Sequence, residues 1–290
     1  MATPLRFALV LPFGDARSVA ERAAAAEAAG WDAILVWEAV WGVDAWVSLT
    51  AAALATERIR VGTLLSPLPR MRPWDLASRV GTLDRLSGGR VQLSVGLGAL
   101  HPGWTAFEPD EGRAKRAQLL DEGLDVYAGL MHGQPFDYEG RHYRVRPTDF
   151  MLPDPPVQRP HPPVWVVGAA RVSPAGLLST PSLERASRWE GLLPNVIGES
   201  GPGDTGSPDS LAEVVSLTRA LRDSAGLPWA GYDVIAEGRS HGEGRTDPGD
   251  PDVWAAAGAT WWVEGAWDLA PTAEGNRELD RRIACGPPGT

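Results

Sequence analysis

The segment Ile59 to Gly98, IRVGTLLSPLPRMRPWDLASRVGTLDRLSGGRVQLSVGLG, constrains the fold more than any other part of the chain. It reads as strand, loop, helix, tight turn, strand. Ile59 to Leu65 is β-branched and leucine-rich with no charge after Arg60, which suits a strand buried on both faces. Leu76, Val80, Leu83 and Leu86 recur at i, i+4, i+7 and i+10 and predict one apolar face of a helix. Gly88 and Gly89 end that helix, because glycine takes the left-handed backbone that a C-terminal cap needs. Val91 to Gly96 is a second buried strand. Two parallel strands joined by a helix form a βαβ unit, which sets the class as α/β.

The remaining sequence repeats this alternation. Phe7 to Leu11 and Asp32 to Trp37 read as strands flanking an alanine-rich helix, Ala16 to Ala29. Ala45 to Thr56 follows as a second helix with Asp44 as its N-cap. Arg113 to Met131 is the fourth helix, carrying Leu120, Leu124, Tyr127 and Leu130 at helical spacing. Further on, Pro163 to Gly168, Gly191 to Leu193, Tyr232 to Ala236 and Thr260 to Val263 read as strands. Their helices begin near Leu183, Ser207-Pro208, Asp250 and Thr272, the second in cap-then-proline style. About eight such alternations predict a (β/α)8 TIM barrel forming a single domain over residues 1–290. A doubly wound sheet is the structural alternative. It wants a Gly-x-Gly-x-x-Gly turn after an early strand, which Pro12-Phe13-Gly14-Asp15 does not supply.

One stretch breaks the period, an insertion at residues 132–163 between the fourth helix and the fifth strand. FDYEGRHYRV alternates around Glu139-Gly140 and predicts a β-hairpin. The proline-rich run PDPPVQRPHPP after it predicts extended chain. A connection this long in a compact domain is expected to lie over the strand ends as a lid. Glu199 to Ser207 reads as a flexible loop.

Composition narrows the function classes. A net charge of −10 and a pI near 5.0 argue against a nucleic-acid partner, since phosphates need a basic footprint. Cys285 is the single cysteine, so neither an intrachain disulfide nor a cysteine-based zinc site is available. The five histidines, His101, His132, His142, His161 and His241, show no ligand spacing, and no metal is expected. No run approaches the roughly 20 apolar residues of a membrane span, so a cytoplasmic protein is expected.

In a barrel the chemistry sits at the C-terminal ends of the strands. Those ends include Trp37-Glu38-Ala39, Thr63-Leu64-Leu65-Ser66, Gly96-Leu97-Gly98-Ala99, Gly168-Ala169-Ala170-Arg171, Glu237-Gly238 and Glu264-Gly265. Most of these residues are small, apolar or glycine, a mouth suited to a bulky planar ligand with few acids and bases. Glu38 is the candidate general base, weighed against a solvated or salt-bridged carboxylate. Gly96-Leu97-Gly98 fails the dinucleotide fingerprint, because His101 stands where the third glycine belongs. Arg113, Lys115 and Arg116 at a helix start oppose the macrodipole, which makes an anionic partner worth weighing. No Gly-x-Ser-x-Gly elbow supports a serine hydrolase.

Taken together, AAGWDAILVWE, ATERIRVGTLLSPLPRMRPWDLA, LDRLSGGRVQLSVGLG, LDEGLDVYAGLMHGQPFDYEGRHYRV, RASRWEGLLP and AGATWWVE resemble the bacterial luciferase-like family of flavin- or deazaflavin-dependent oxidoreductases. The resemblance implies reduced flavin mononucleotide (FMN) or coenzyme F420 lying across the strand ends of a homodimer that pairs through the second and third helices. It implies a small, largely apolar or aromatic substrate, and a monooxygenase or related oxidoreductase. A bulge at Thr63-Leu64, in the family often with a non-proline cis peptide, would back the ring. Gly96 and Gly98 would leave room for it. Val167, Gly168, Ala169 and Ala170 would hold the phosphate through backbone N–H groups, with Ser173 as a hydroxyl donor and Arg116 reaching in from the fourth helix. Three positions depart from the family pattern. Glu38-Ala39 replaces an Asp-His pair, Ala99 replaces a glutamate, and Gly96 replaces an arginine. These departures motivate the alternative of a non-enzymatic flavin- or ligand-binding barrel or partner subunit.

Overall fold

The computed structural model describes residues 4–100, 103–198, 201–204, 206–240 and 249–288, with backbone only for 201–204. His101 and His241, read above as outside any ligand spacing, lie outside the described residues. So do Glu199, Ser200 and Thr205 of the expected flexible loop.

The strands are β1 (Arg6–Leu11), β2 (Ala33–Val36), β3 (Arg60–Thr63), β4 (Val91–Val95), β5 (Tyr138–Glu139), β6 (Arg144–Val145), β7 (Val164–Ser173), β8 (Gly176–Ser179), β9 (Gly191–Gly198), β10 (Gly201–Asp204), β11 (Asp233–Gly238) and β12 (Trp261–Glu264). The helices are α1 (Ala16–Ala28), α2 (Ala45–Leu54), α3 (Pro73–Ser87), α4 (Arg113–His132), α5 (Pro181–Ala186), α6 (Pro208–Ser224), α7 (Pro251–Ala256) and α8 (Ala273–Ala284). The main sheet has the order β10-β9-β11-β12-β1-β2-β3-β4-β7-β8, and β9 pairs again with β7. The strands from β9 round to β7 therefore close on themselves, giving the eight-stranded parallel α/β barrel that the alternation predicts.

By packing, the chain divides into two compact units. The first comprises the described parts of Met1–Phe13, Ala25–Leu35 and Val164–Thr290. Among its strands β1, β11 and β12 are mostly buried on both faces, and β12 pairs in parallel with both β1 and β11. Arg6, Trp165, Asp233 and Trp261 meet on one face. The Asp233 carboxylate accepts from the Trp165 indole at 3.2 Å and pairs with Arg6, whose guanidinium lies 4.2 Å over the Trp261 ring.

β7 departs from expectation. It runs past Gly168 to Ser173 and folds back as an antiparallel hairpin onto β8, with Ala170 opposite Ser179 and Ser173 opposite Gly176. The segment expected as a loop after the fifth strand is thus regular sheet. Val172 and Ser173 continue the strand pattern, and Gly176, at φ 108°, makes the tight turn.

The second unit comprises Gly14–Ala24 and Val36–Pro163. The Asp44 carboxylate caps α2 by accepting from the N–H groups of Trp46 and Val47 at 2.8 and 2.9 Å. Gly88, at φ 69°, closes α3 in the left-handed conformation. Arg90 joins the two helix ends, donating to the carbonyls of Ala53, Thr56 and Ser87. Leu76, Val80 and Leu83 are buried as the period requires, but Leu86 is 45% exposed. At about 100° per residue, i+10 falls roughly 80° away from Leu76, off the face that the other three share.

The insertion is also placed differently from expectation. The β5–β6 hairpin forms, but its tip is drawn onto α4. Glu122 accepts from the backbone N–H groups of Arg141, His142 and Tyr143 at 2.8–3.1 Å. The proline-rich run then packs at the N-terminal ends of β3 and β4, not over their C-terminal ends. Gln158 bonds Asp84, Arg60 and the Val91 carbonyl there, and Val157 fills the space beside Gly89. Only the hairpin tip reaches the other end of the unit. No helix among the described residues is long and apolar enough to cross a membrane.

Candidate functional site

In the second unit the C-terminal ends of β2, β3 and β4 open into a cleft of 790 Å³. Glu38 and Ala39 follow β2, Pro69 to Arg72 follow β3, and Tyr143 comes from the hairpin tip. The wall holds Arg70, Arg79 and Lys115, each paired with a carboxylate: Arg70 with Glu108, Arg79 with Glu38, Lys115 with Glu111. Arg72 also lines the cleft and has no ion pair among the described residues, while Trp41, Val40, Leu119 and Tyr143 supply apolar surface. The cleft is therefore more charged than the list of strand ends implies, because its acids and bases come from helix starts and from the 108–115 segment.

Glu38 is the most telling residue. Its side chain is 14% exposed, and Oε1 accepts from the Trp46 indole at 3.3 Å and faces Arg79 at 3.5 Å. Oε2 is buried without a hydrogen-bond partner among the described residues. Burial pushes the carboxyl above the usual range, and the Ser66 hydroxyl, Arg79 and Trp46 offset this only in part. The Ser66 hydroxyl lies beside the carboxyl without closing a full hydrogen bond. Its Oγ, like that of Ser94, is buried and unpartnered. Three orphaned polar atoms thus lie on adjacent strand ends, a pattern that asks for a polar partner from outside the chain.

The other expected residues of this unit separate by role. Thr63 ends β3, and its hydroxyl donates to the Ser94 carbonyl at 3.2 Å. A non-proline cis peptide joins Leu64 to Leu65, one bond beyond Thr63-Leu64. Gly96 is buried, and its N–H donates to the Ser66 carbonyl at 3.3 Å. Gly98 has φ 77°, and a Cβ there would lie 2.6 Å from the Trp104 ring and 2.7 Å from Pro67. Its missing side chain makes room for protein, not for a ligand. Arg116 donates to the carbonyls of Leu97 and Gly98 at 3.4 and 3.1 Å and pairs with Asp110, so it braces the loop after β4. Trp104 lies between the Arg116 and Arg70 guanidinium groups, at 5.4 and 5.1 Å, and locks that loop. Sequence reasoning did not single out Trp104 or Arg79; neither stands at a strand end.

Val167, Gly168, Ala169, Ala170 and Ser173 belong to the first unit. Val167 and Ala169 share the strand face of Trp165, by the period of two. Gly168 faces the other way, where a Cβ would lie 2.6 Å from Leu192 and 2.9 Å from Ala186. The Ala169 N–H donates to Ser182 Oγ at 3.1 Å, and the Ser173 hydroxyl donates to the Gly176 carbonyl at 2.7 Å. Two of the expected phosphate donors are therefore already engaged, the Ala169 N–H by α5 and the Ser173 hydroxyl by the β7–β8 turn. Glu237 and Glu264, present among the strand ends but not singled out, also belong to this unit. Glu264 accepts from the Trp262 indole at 2.9 Å and the Ser240 N–H at 3.0 Å.

The fold and the strand-end carboxylates define an α/β-barrel protein with a ligand cleft. Residues 5–177 match the model of the luciferase-like monooxygenase family, and the chain belongs to that family. Solved structures agree in fold. The coenzyme F420-dependent tetrahydromethanopterin reductase of Methanopyrus kandleri is 18% identical with a TM-score of 0.73, over 95% of this chain and 96% of that one. The monooxygenase RslO1 of Streptomyces bottropensis is 22% identical with a TM-score of 0.68, over 97% and 98%. The oxygenating constituent of 3,6-diketocamphane monooxygenase of Pseudomonas putida, solved in complex with FMN, is 20% identical with a TM-score of 0.62, over 82% and 67%.

Proposed function

We propose that the protein is an oxidoreductase that uses a reduced flavin mononucleotide or coenzyme F420 ring on a small organic substrate held in the second unit's cleft. The observation that carries this reading is Glu38, a buried carboxyl with one unpartnered oxygen at the strand ends of a luciferase-like barrel. The residues present fit the polar edge of a flat ring, since Glu38 Oε2, Ser66 Oγ and Ser94 Oγ are polar, buried and unpartnered. They fit a phosphate less well, because the Ala169 N–H and the Ser173 hydroxyl are engaged.

When bound, such a ring supplies the electrons, either as a hydride or through oxygen. The chain's own contribution is proton handling and orientation. Glu38, held in place by the Trp46 indole, takes a proton at Oε2, the oxygen without a protein partner. Arg79 stabilises the carboxylate until that transfer. Tyr143, carried in by the hairpin tip, closes one side of the cleft against water.

The test is a fluorescence titration of the full chain with oxidised FMN and with F420, followed by turnover with and without oxygen. Saturable binding of one of them is expected, together with substrate-dependent oxidation that Glu38→Ala abolishes. Binding without turnover on any substrate would favour the non-enzymatic ligand-binding reading, and no binding would end the cofactor assignment.

A further inference from the structure

Arg72, Asp75 and Arg79 follow one another at i, i+3 and i+7 along α3, and all three line the second unit's cleft as one stripe of its wall. Arg79 is the end of the stripe that meets Glu38. Arg72, at the N-cap of α3, is the other end, and seven residues of helix set the two about 10 Å apart. The neighbouring charges are mostly spoken for. Glu108 is paired with Arg70 and Glu111 with Lys115, while Asp44 caps α2. Arg72 is the cleft's cation without an ion pair among the described residues. Its guanidinium stands 5.9 Å over the Trp74 ring.

The same Trp74 ring meets Tyr143 edge-on, at 6.2 Å and 82°. Tyr143 lines the cleft and is only 5% exposed. Its N–H is held by Glu122 and its carbonyl by the Gly140 N–H, but its hydroxyl has no hydrogen-bond partner among the described residues. Arg72 acts electrostatically on this phenol. Burial pushes the phenol up, and Arg72 is the main influence against that rise. No side chain caps the start of α3, so the positive end of its dipole faces the same place. A guanidinium without a counter-ion and a phenol O–H without an acceptor are both donors, and together they suit an oxyanion.

We propose that Arg72 and Tyr143 hold a carboxylate of the substrate, guanidinium and phenol each donating to its oxygens, with the rest of the molecule directed along the α3 stripe toward Glu38. The assignment rests on the reading of this cleft as the substrate site and names the substrate class. The spacing of the stripe, about 10 Å, suits a flat monocarboxylic acid of one or two rings. Asp75, between the two arginines and itself without an ion pair among the described residues, disfavours a second acidic group on the way.

The experiment is calorimetric titration of the full chain with 2-naphthoate, its neutral isostere 2-naphthamide, inorganic phosphate, FMN and F420. Wild type should bind 2-naphthoate at least about tenfold more tightly than 2-naphthamide. Arg72→Gln should remove that preference by weakening naphthoate alone, Arg72→Lys should restore part of it, and Tyr143→Phe should cost naphthoate several-fold with the amide unchanged. Unchanged amide binding separates a lost anion contact from a disturbed fold. Equal affinity of wild type for the two isosteres would overturn the assignment, as would naphthoate affinity that survives Arg72→Gln. Loss of phosphate or FMN binding in Arg72→Gln, with naphthoate unaffected, would also overturn it and give the site to a phosphate. The naphthoate arms need no cofactor. A chain that binds FMN or F420 but shows no naphthoate preference overturns this assignment alone, and one that binds neither cofactor overturns the cofactor reading whatever the naphthoate arms give.

Discussion

Glu38 shows how much of a residue's chemistry depends on neighbours distant in sequence. The sequence marks it as an acid at a strand end. Its character comes from Trp46 eight residues on and from Arg79 on α3. As a general base it must be ionised, and burial raises its pKa above that of a surface glutamate. Turnover should therefore fall as pH drops through a value higher than the ordinary carboxylate range, and the acidic limb of kcat/KM should report it. Glu38→Gln should lower kcat/KM by roughly 10²–10⁴-fold, the usual size of a lost acid–base group. Arg79→Ala provides the sharper check. Removing a charge that favours the carboxylate raises the pKa further, so the acidic limb should move to higher pH; a limb that stays put assigns it to another group.

The hairpin of β5 and β6 was legible as an element but not in its placement. Alternation around Glu139-Gly140 predicts two strands and a turn, whereas its docking depends on Glu122, one acid among many on α4. Burial pushes this carboxyl up, yet the N–H groups of His142, Tyr143 and Arg141 outweigh it and hold it below the usual range. A depressed carboxylate stabilises the docked tip above its unfolded pKa and loses that contribution as pH falls through the folded one. Protection of the Arg141 to Tyr143 amides, relative to the intrinsic exchange rate at each pH, should accordingly fall on acidification below the ordinary glutamate pKa, and Glu122→Gln should show low protection at every pH. Gly140→Ala should release the tip as well, because its Cβ would lie 2.3 Å from Glu122 Oε2.

α2 allows a different prediction. AWVSLTAAAL carries no charge on any side, yet Val47 is 60% and Leu54 70% exposed. A helix apolar all round is a buried helix. We propose that a second copy of the chain covers it, together with the exposed Leu86 of α3. Light scattering should then give twice the 31.0 kDa chain mass, falling to the single mass in Val47→Glu with Leu54→Glu; a monomeric wild type refutes it.

For the whole molecule, the βαβ period was enough to predict the barrel, since each strand–helix repeat announces itself locally. The phosphate contacts were not legible in the same way. The strand reading stops at Gly168 because the small residues beyond it carry little apolar signal, and the hairpin partner that makes Ala170 to Ser173 sheet, β8, lies further along the chain. With those donors engaged, long-range charge acts on an anionic ligand with little local compensation. The chain carries −10 overall, and that repulsion extends over about 10 Å at 0.1 M salt and farther in dilute buffer. Raising NaCl from low to physiological strength should therefore leave the affinity for FMN or F420 unchanged or improve it, as read by a titration at constant pH. A preformed cationic cradle predicts the reverse. A dissociation constant that rises severalfold with salt would show that Arg72 or another cation reaches the phosphate, and that the engaged donors of β7 are not the whole of the anion site.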